Sequence, residues 1–506
     1  MATIQPPADG GQEQSDLAAL AKGGRTNIIG FLLRLAARLP FLFIAGRVYG
    51  PDVLGRFAYA GLVVEFAAQL ATLGLKRGLA GAFAQTKRPE SHVLADAMLL
   101  TLLFSLGAAA LLIVFPEAMF PNSGLNGLDR LFPLTIIAIA GAEVALAACA
   151  WRYDIAATVR ARAIVEPWTI SIAAWLLSWY SLRDGLILSY VLAMVAALAV
   201  ALWSTARHFS WSPGWRLHPA RLARMARINM PLAAADAIEW GSRRLDLAIL
   251  GLFVSPAVVG IYYVAQQVAS IPQKLKTSFE PILGPVITRN IADHNYAAIA
   301  RQVSQVGFWI IAAQAGIALA LGMPGEAVMG LVGPEFVAGA LALGCLLLAE
   351  VAAATAVVSE GALVYLARHR NLVISLAMIG LQAALSFLLI ALVQRADLPT
   401  PLLAAAPALA LALALACSSA VKAGLLQRLL HHRIAVWRPA LFFAVLAAAG
   451  AGLLVVSVPP RFEWAELAIG VPAILGLYAA IIWRFGFGPE DRALFARGKK
   501  ANPADG

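Results

Sequence analysis

The chain has 506 residues, of which 61% are hydrophobic and 13% charged. A soluble globular domain carries about 25% charged residues, so this composition excludes a string of soluble domains and indicates a polytopic membrane protein. The net charge of +11 could suit nucleic acid, but roughly 29 of the 39 Lys and Arg residues fall on one set of alternate links between apolar stretches and about 6 on the other. That is the positive-inside bias: it places both termini in the cytoplasm and leaves no nucleic-acid partner.

Residues 1–27 are polar, with Pro6, Pro7 and Gly10, and hold no apolar core of a cleaved signal peptide. They read as a disordered cytoplasmic N-terminus, followed by a first span that serves as its own signal anchor. Hydropathy then gives helix 1 at 28–48, helix 2 at 53–79, helix 3 at 93–115, helix 4 at 131–151, helix 5 at 163–182 and helix 6 at 185–206. Together 28–206 make an N-terminal lobe.

Residues 207–227 form the most basic segment, with Arg221, Arg224 and Arg227 beside Leu222 and Met225. This spacing suits a short linker helix on an anionic cytoplasmic surface. Helix 7 at 228–253 opens a C-terminal lobe over 228–430, with further spans at 257–284, 302–323, 337–366, 371–393 and 402–427. Two more, 438–457 and 464–484, fill 438–485, and 486–506 is a cytoplasmic tail. The fold class is therefore all-α, with about fourteen transmembrane helices in two six-helix lobes plus two C-terminal helices.

The lobes repeat each other. IAGRVYGPDVLGRFAYA from Ile44 aligns without a gap on ILGLFVSPAVVGIYYVA from Ile249, matching Gly46, Pro51, Val53, Gly55 and Ala60 to Gly251, Pro256, Val258, Gly260 and Ala265. Each copy is the end of one span, a Pro-led turn and the start of the next. An offset of about 205 residues spans an even number of helices, so both halves run the same way across the membrane, an arrangement that places a substrate site between them.

The stretch with most chemistry is helix 7, INMPLAAADAIEWGSRRLDLAILGLF. It is long enough to cross a bilayer and carries Asp236, Glu239, Arg243, Arg244 and Asp246 in its middle. A charge facing hydrocarbon costs several kcal/mol, and Asp236, Glu239, Arg243 and Asp246 lie near one helical stripe, so that stripe is expected to face other charged helices or water. Helix 1 supplies Arg34 and Arg38 at i,i+4, and Arg38 is the repeat partner of Arg243. Guanidinium groups bind phosphate bidentately and stay charged, so Arg34, Arg38, Arg243 and Arg244 are expected to bind an anionic guest.

The competing reading is a structural network in which Asp236, Glu239, Asp246 and Glu65 neutralise these arginines. Helix 2 adds a polar stripe of Glu65, Gln69, Thr72 and Lys76, and helix 8 adds Ser270, Lys274 and Thr277. The candidate substrate-binding set is Arg34, Arg38, Arg243, Arg244, Lys274 and Gln69. The ion-coupling candidates are Glu65, Asp236, Glu239 and Asp246, because buried carboxyls can exchange protons. Glu143, Glu166, Glu350 and Glu360 are further acids within spans.

Trp168, Trp175, Trp179 and Tyr180 fit an interfacial belt. Cys149, Cys345 and Cys417 are too scattered for a disulfide or a metal site. No Walker loop, His-Glu-x-x-His or Cys-x-x-Cys is present and the links are short, so no enzyme, cofactor or metal is expected.

GRVYGPDVLGRFAYA followed by LATLGLKRGLAGAFA, within this helix count, resembles the Wzx-type polysaccharide repeat-unit flippases of the multidrug/oligosaccharidyl-lipid/polysaccharide (MOP) exporter superfamily. The resemblance implies a non-enzymatic transporter in the bacterial inner membrane. It would move an undecaprenyl-pyrophosphate-linked oligosaccharide across the bilayer by H+- or Na+-coupled alternating access, with polysaccharide polymerase or assembly proteins as associates. A drug/cation antiporter of the same superfamily and a membrane-embedded glycan polymerase or ligase are the alternatives. The first predicts a net negative site, the second a large extracytoplasmic catalytic loop.

Overall fold

The computed structural model describes residues 39–210, 213–277, 287, 290–291, 293–456 and 466–488. Described residues are helical or in turns, with no strand, and ten helical stretches are long and apolar enough to cross a membrane. The all-α polytopic class expected from composition is what the chain adopts. It divides into two compact units, Met1–Arg244 and Leu245–Gly506.

In the first unit the described chain enters as the end of a span, with Ala45–Tyr49 wound as a π-helix, and turns at Gly50. Gly50 has φ +79°, which glycine alone adopts cheaply. Pro51 follows in the first turn of α1 (Gly50–Ala71), where a missing N–H costs nothing.

The expected single helix 2 is two helices. At its end Thr72 donates its hydroxyl to the Gln69 carbonyl at 2.7 Å. Leu73 (φ +49°) and Gly74 (φ +69°) then take left-handed backbone, and α2 (Leu75–Gln85) begins after them. Next come α3 (Glu90–Val114), α4 (Thr135–Trp151), α5 (Glu166–Leu177), α6 (Gly185–His208) and α7 (Pro219–Ser242).

α4 is the hub, packed against α1, α2, α3 and α6. Its buried face is Ala138, Ala140, Gly141, Ala142, Ala145 and Ala148, and small residues let helix backbones approach closely where the bilayer removes the hydrophobic drive. Leu102, Leu103, Phe104 and Leu111 on α3 are exposed, as a lipid-facing surface requires. Near Pro116–Leu134, Arg56 of α1 donates to Asp129 at 2.9 Å with 8% and 0% side-chain exposure. Asp129 also accepts from the Asn126 N–H at 2.8 Å.

The second unit contains α8 (Leu245–Phe253), α9 (Pro256–Thr277), α10 (Tyr296–Gly322), α11 (Ala340–Leu366), α12 (Arg368–Arg395), α13 (Thr400–Leu430), α14 (Pro439–Val456) and α15 (Val471–Ile481). α11 is central, against α9, α10 and α13, and its core includes Phe308, Ile311, Val358, Leu363, Leu426, Leu441 and Ile474. The repeated segment is visible here too, since α8 ends in a turn and Pro256 begins α9, as Gly50 and Pro51 do in the first unit.

Helix 7 differs from the single 228–253 span read from sequence. The basic segment from Pro219 to Arg227 is already its first turns, with Leu222 buried, and the helix stops at Ser242. It resumes at Leu245 after Arg243 and Arg244, and the boundary between the units falls at this break. Pro219 explains the early start, because proline suits a first helical turn.

Candidate functional site

The site in the first unit is built where α2 lies on α7. A Cβ at Gly74 would stand 2.6 Å from the Ala233 backbone nitrogen and 2.9 Å from the Asn229 carbonyl, and one at Gly78 would stand 1.7 Å from Asn229 Oδ1. Glycine at both positions is what lets the two helices touch. The residues between them, Lys76 and Arg77, are thereby delivered to the acids of α7.

Arg77 Nη2 donates to Glu239 Oε2 at 2.7 Å, and its Nε lies 2.9 Å from Asp236 Oδ1. Lys76 Nζ donates to Gln69 Oε1 at 2.8 Å and stands 3.8 Å from Asp236 Oδ2. Asp236 has 0% side-chain exposure, and neither carboxylate oxygen receives an aligned hydrogen bond. Its partners are held as charge contacts.

The seam continues along α7 to the break. Arg243 donates to Glu239 Oε1 at 3.0 Å, closing the i,i+4 pair read from sequence. Arg244 donates to Glu65 Oε2 of α1 at 2.8 Å and lies over the Trp240 ring, 4.7 Å from its centroid. Trp240 in turn contacts Phe66. Tyr190 of α6 donates to the other Glu65 oxygen at 2.9 Å.

A second knot sits on the same bundle, where Arg162 donates to Glu143 at 2.5 Å and to Glu166 at 2.7 Å. Within the seam, the four cations Lys76, Arg77, Arg243 and Arg244 meet the three carboxylates Glu65, Asp236 and Glu239. Arg77 and Arg243 are half-exposed or more, at 50% and 62%, so their charges keep access to solvent.

Of the ten candidate residues, this arrangement gathers six: Gln69, Glu65, Asp236, Glu239, Arg243 and Arg244. Among the described residues, Arg243 and Arg244 are each paired with an acid. Arg34 and Arg38 lie outside the described residues, and so does the side chain of Lys274, which is on α9.

Asp246 stands apart on α8 of the second unit. It is 1% exposed, accepts from Tyr262 Oη at 2.5 Å and from Gln266 Nε2 at 3.3 Å, and no cation among the described residues pairs with it. Sequence reasoning named none of Arg77, Arg162 and Tyr190 as site residues. The Gly74–Lys76–Arg77–Gly78 spacing was the signal available for the first.

A model of the family described as "Polysaccharide biosynthesis protein" matches residues 44–320. No curated protein sequence matches. Among solved structures, the lipid II flippase MurJ in an inward closed conformation is similar with a TM-score of 0.65 at 10% identity, covering 90% of this chain and 99% of that one. The MATE transporter ClbM in complex with Rb+ is similar with a TM-score of 0.44 at 14% identity, covering 85% and 96%. The link to polysaccharide biosynthesis read from the sequence thus stands on the family, and the polytopic all-α fold on the structural likeness. With a family model matched over more than half its length, the chain belongs to the polysaccharide biosynthesis protein family.

Proposed function

We propose that this protein flips an undecaprenyl-pyrophosphate-linked oligosaccharide repeat unit across the bacterial inner membrane for polysaccharide biosynthesis, by ion-coupled alternating access with both termini in the cytoplasm. The observation that carries the reading is the seam of α1, α2 and α7, in which Arg77, Arg243 and Arg244 are each held by a carboxylate and yet partly exposed. Guanidinium groups so placed can exchange a carboxylate partner for pyrophosphate oxygens, which offer the same bidentate geometry and more charge. Arg34 and Arg38 would extend the set from the first span, with Lys274 and Gln69 as further polar contacts.

Release of the acids on substrate arrival would couple transport to H+ or Na+, with Glu65, Asp236, Glu239 and Asp246 as carriers. A charge is expensive at membrane depth, and Asp246, held by neutral donors among the described residues, is the strongest candidate to take up a proton. The partly exposed guanidinium groups of Arg77, Arg243 and Arg244 support an anionic guest over the cationic drug that an antiporter would carry. A polymerase or ligase reading gains no support from the family or the fold.

The test is to remove the chain and assay lipid-linked intermediates by leaflet. Accumulation of a pyrophosphate-linked oligosaccharide on the cytoplasmic side is expected, and the combined change Arg38→Ala with Arg243→Ala should reproduce it with the protein still in the membrane. Normal polymer output from that variant would overturn the assignment.

A further inference from the structure

α12 is apolar on its outside and polar on its inside. Leu372, Val373, Leu376, Phe387, Leu388 and Leu392 are exposed, whereas Asn371, Gln382 and Ser386 are buried and Ser375 lies on the same face. Spacings of four, eleven and fifteen residues return to one side of a helix, and the stripe runs about 22 Å along the axis, most of the thickness of a hydrocarbon core.

One end of the stripe is engaged by charge. Lys422 of α13 donates to Ser375 at 3.0 Å and to Glu360 of α11 at 2.9 Å. Asn371 Nδ2 also donates to Glu360 Oε1 at 3.4 Å, whereas Asn371 Oδ1, Gln382 Nε2 and Ser386 Oγ are buried without a hydrogen-bond partner among the described residues. Each such atom left dry loses the hydration it had in the unfolded chain with nothing in return. Water is the general remedy where polar groups line up in a roomy interior.

The stripe reaches the level of Asp246. α8 packs against α12 and α13. Gln394 donates to the Phe253 carbonyl at 2.9 Å, while the Phe253 ring meets Phe387 edge-on. Carbonyls point toward a helix C-terminus and side chains lean toward its N-terminus. Phe253 therefore reaches up to Gln394 and down to Phe387, and the two helices run in the same direction. Asp246, seven residues before Phe253, then sits level with Gln382 and Ser386.

We propose that the polar face of α12 carries a file of water through the second unit and gives protons an access route to Asp246. The inference rests on the coupling role proposed above for Asp246. Neutral donors from Tyr262 and Gln266 hold that carboxyl, and no cation among the described residues pairs with it.

The test uses the full chain in membrane vesicles with Cys149→Ala, Cys345→Ala and Cys417→Ala. Ser375→Cys and Ser386→Cys, both near-isosteric, should react with a small charged methanethiosulfonate about tenfold faster than Leu376→Cys and Leu388→Cys, because hydrocarbon holds no water to ionise the thiol. Rates no higher than at the two leucine positions would overturn the proposal. In the wild-type chain, modification of Asp246 by a water-soluble carbodiimide, read by mass spectrometry, should fall several-fold on changing Gln382→Leu with Ser386→Leu. An unchanged rate would overturn the access route. Neither measurement needs substrate or transport, so its failure is separable from failure of the flippase reading, which the lipid-linked intermediate reports.

Discussion

The contact between α2 and α7 makes the sharpest prediction, because two glycines four residues apart meet different kinds of atom. At Gly74 an added methyl meets backbone, the Ala233 nitrogen at 2.6 Å and the Asn229 carbonyl at 2.9 Å, and the residue holds φ +69°. Gly74→Ala therefore combines a left-handed penalty of about 1–2 kcal/mol with overpacking of about 1–3 kcal/mol, a loss of roughly 2–5 kcal/mol in all. Relief requires α2 to move off α7, which also pulls Lys76 and Arg77 from Asp236.

At Gly78 the methyl meets the Asn229 side chain, 1.7 Å from Oδ1 and 2.8 Å from Cγ, and no backbone. Gly78→Ala should lower the thermal-unfolding midpoint of the purified full chain, and Asn229→Ala should restore most of the loss. Asn229→Ala should not rescue Gly74→Ala, whose clash is with main chain. Rescue of both variants to the same extent, or a Gly74→Ala midpoint equal to wild type, would refute the packing described here.

Two further outcomes follow from the ion pairs. Arg77→Ala should leave the fully buried Asp236 with only Lys76 at 3.8 Å, costing about 1–3 kcal/mol once the half-exposure of the guanidinium is allowed for. Arg77→Lys should not restore polymer output, since one ammonium cannot reach Asp236 and Glu239 together as the guanidinium does. Separately, Asp129→Ala should strand the buried Arg56 charge and cost about 3–5 kcal/mol, with Arg56→Met added to Asp129→Leu recovering most of it. A double variant no more stable in thermal unfolding than Asp129→Ala would contradict that.

Much of the second unit was legible before any coordinates. The spans at 302–323, 337–366, 371–393 and 402–427 sit within α10, α11, α12 and α13 to a few residues, because each is a long apolar run ended by charge or proline. Helix 2 and helix 7 were not legible in the same way. Hydropathy runs on through Thr72–Gly74, whereas that break depends on left-handed backbone at Leu73 and Gly74 and on which atoms of α7 lie beside them; at helix 7 apolar sequence on both sides hid the stop at Ser242. The i,i+4 pair of Glu239 and Arg243 could be read from spacing; the reach of Arg77 to Asp236 across about 160 residues of chain could not.

The sequence by itself determined that this is a helical membrane protein with a Pro-led turn at both copies of the repeated segment, because hydropathy, helical periodicity and proline act within a few residues of chain. Only the tertiary structure decided which acid neutralises which arginine, gave Asp246 the neutral donors Tyr262 and Gln266, and turned the polar face of α12 inward. Coulombic pairing and burial depend on distance in space, and the groups that meet here come from helices far apart in the chain.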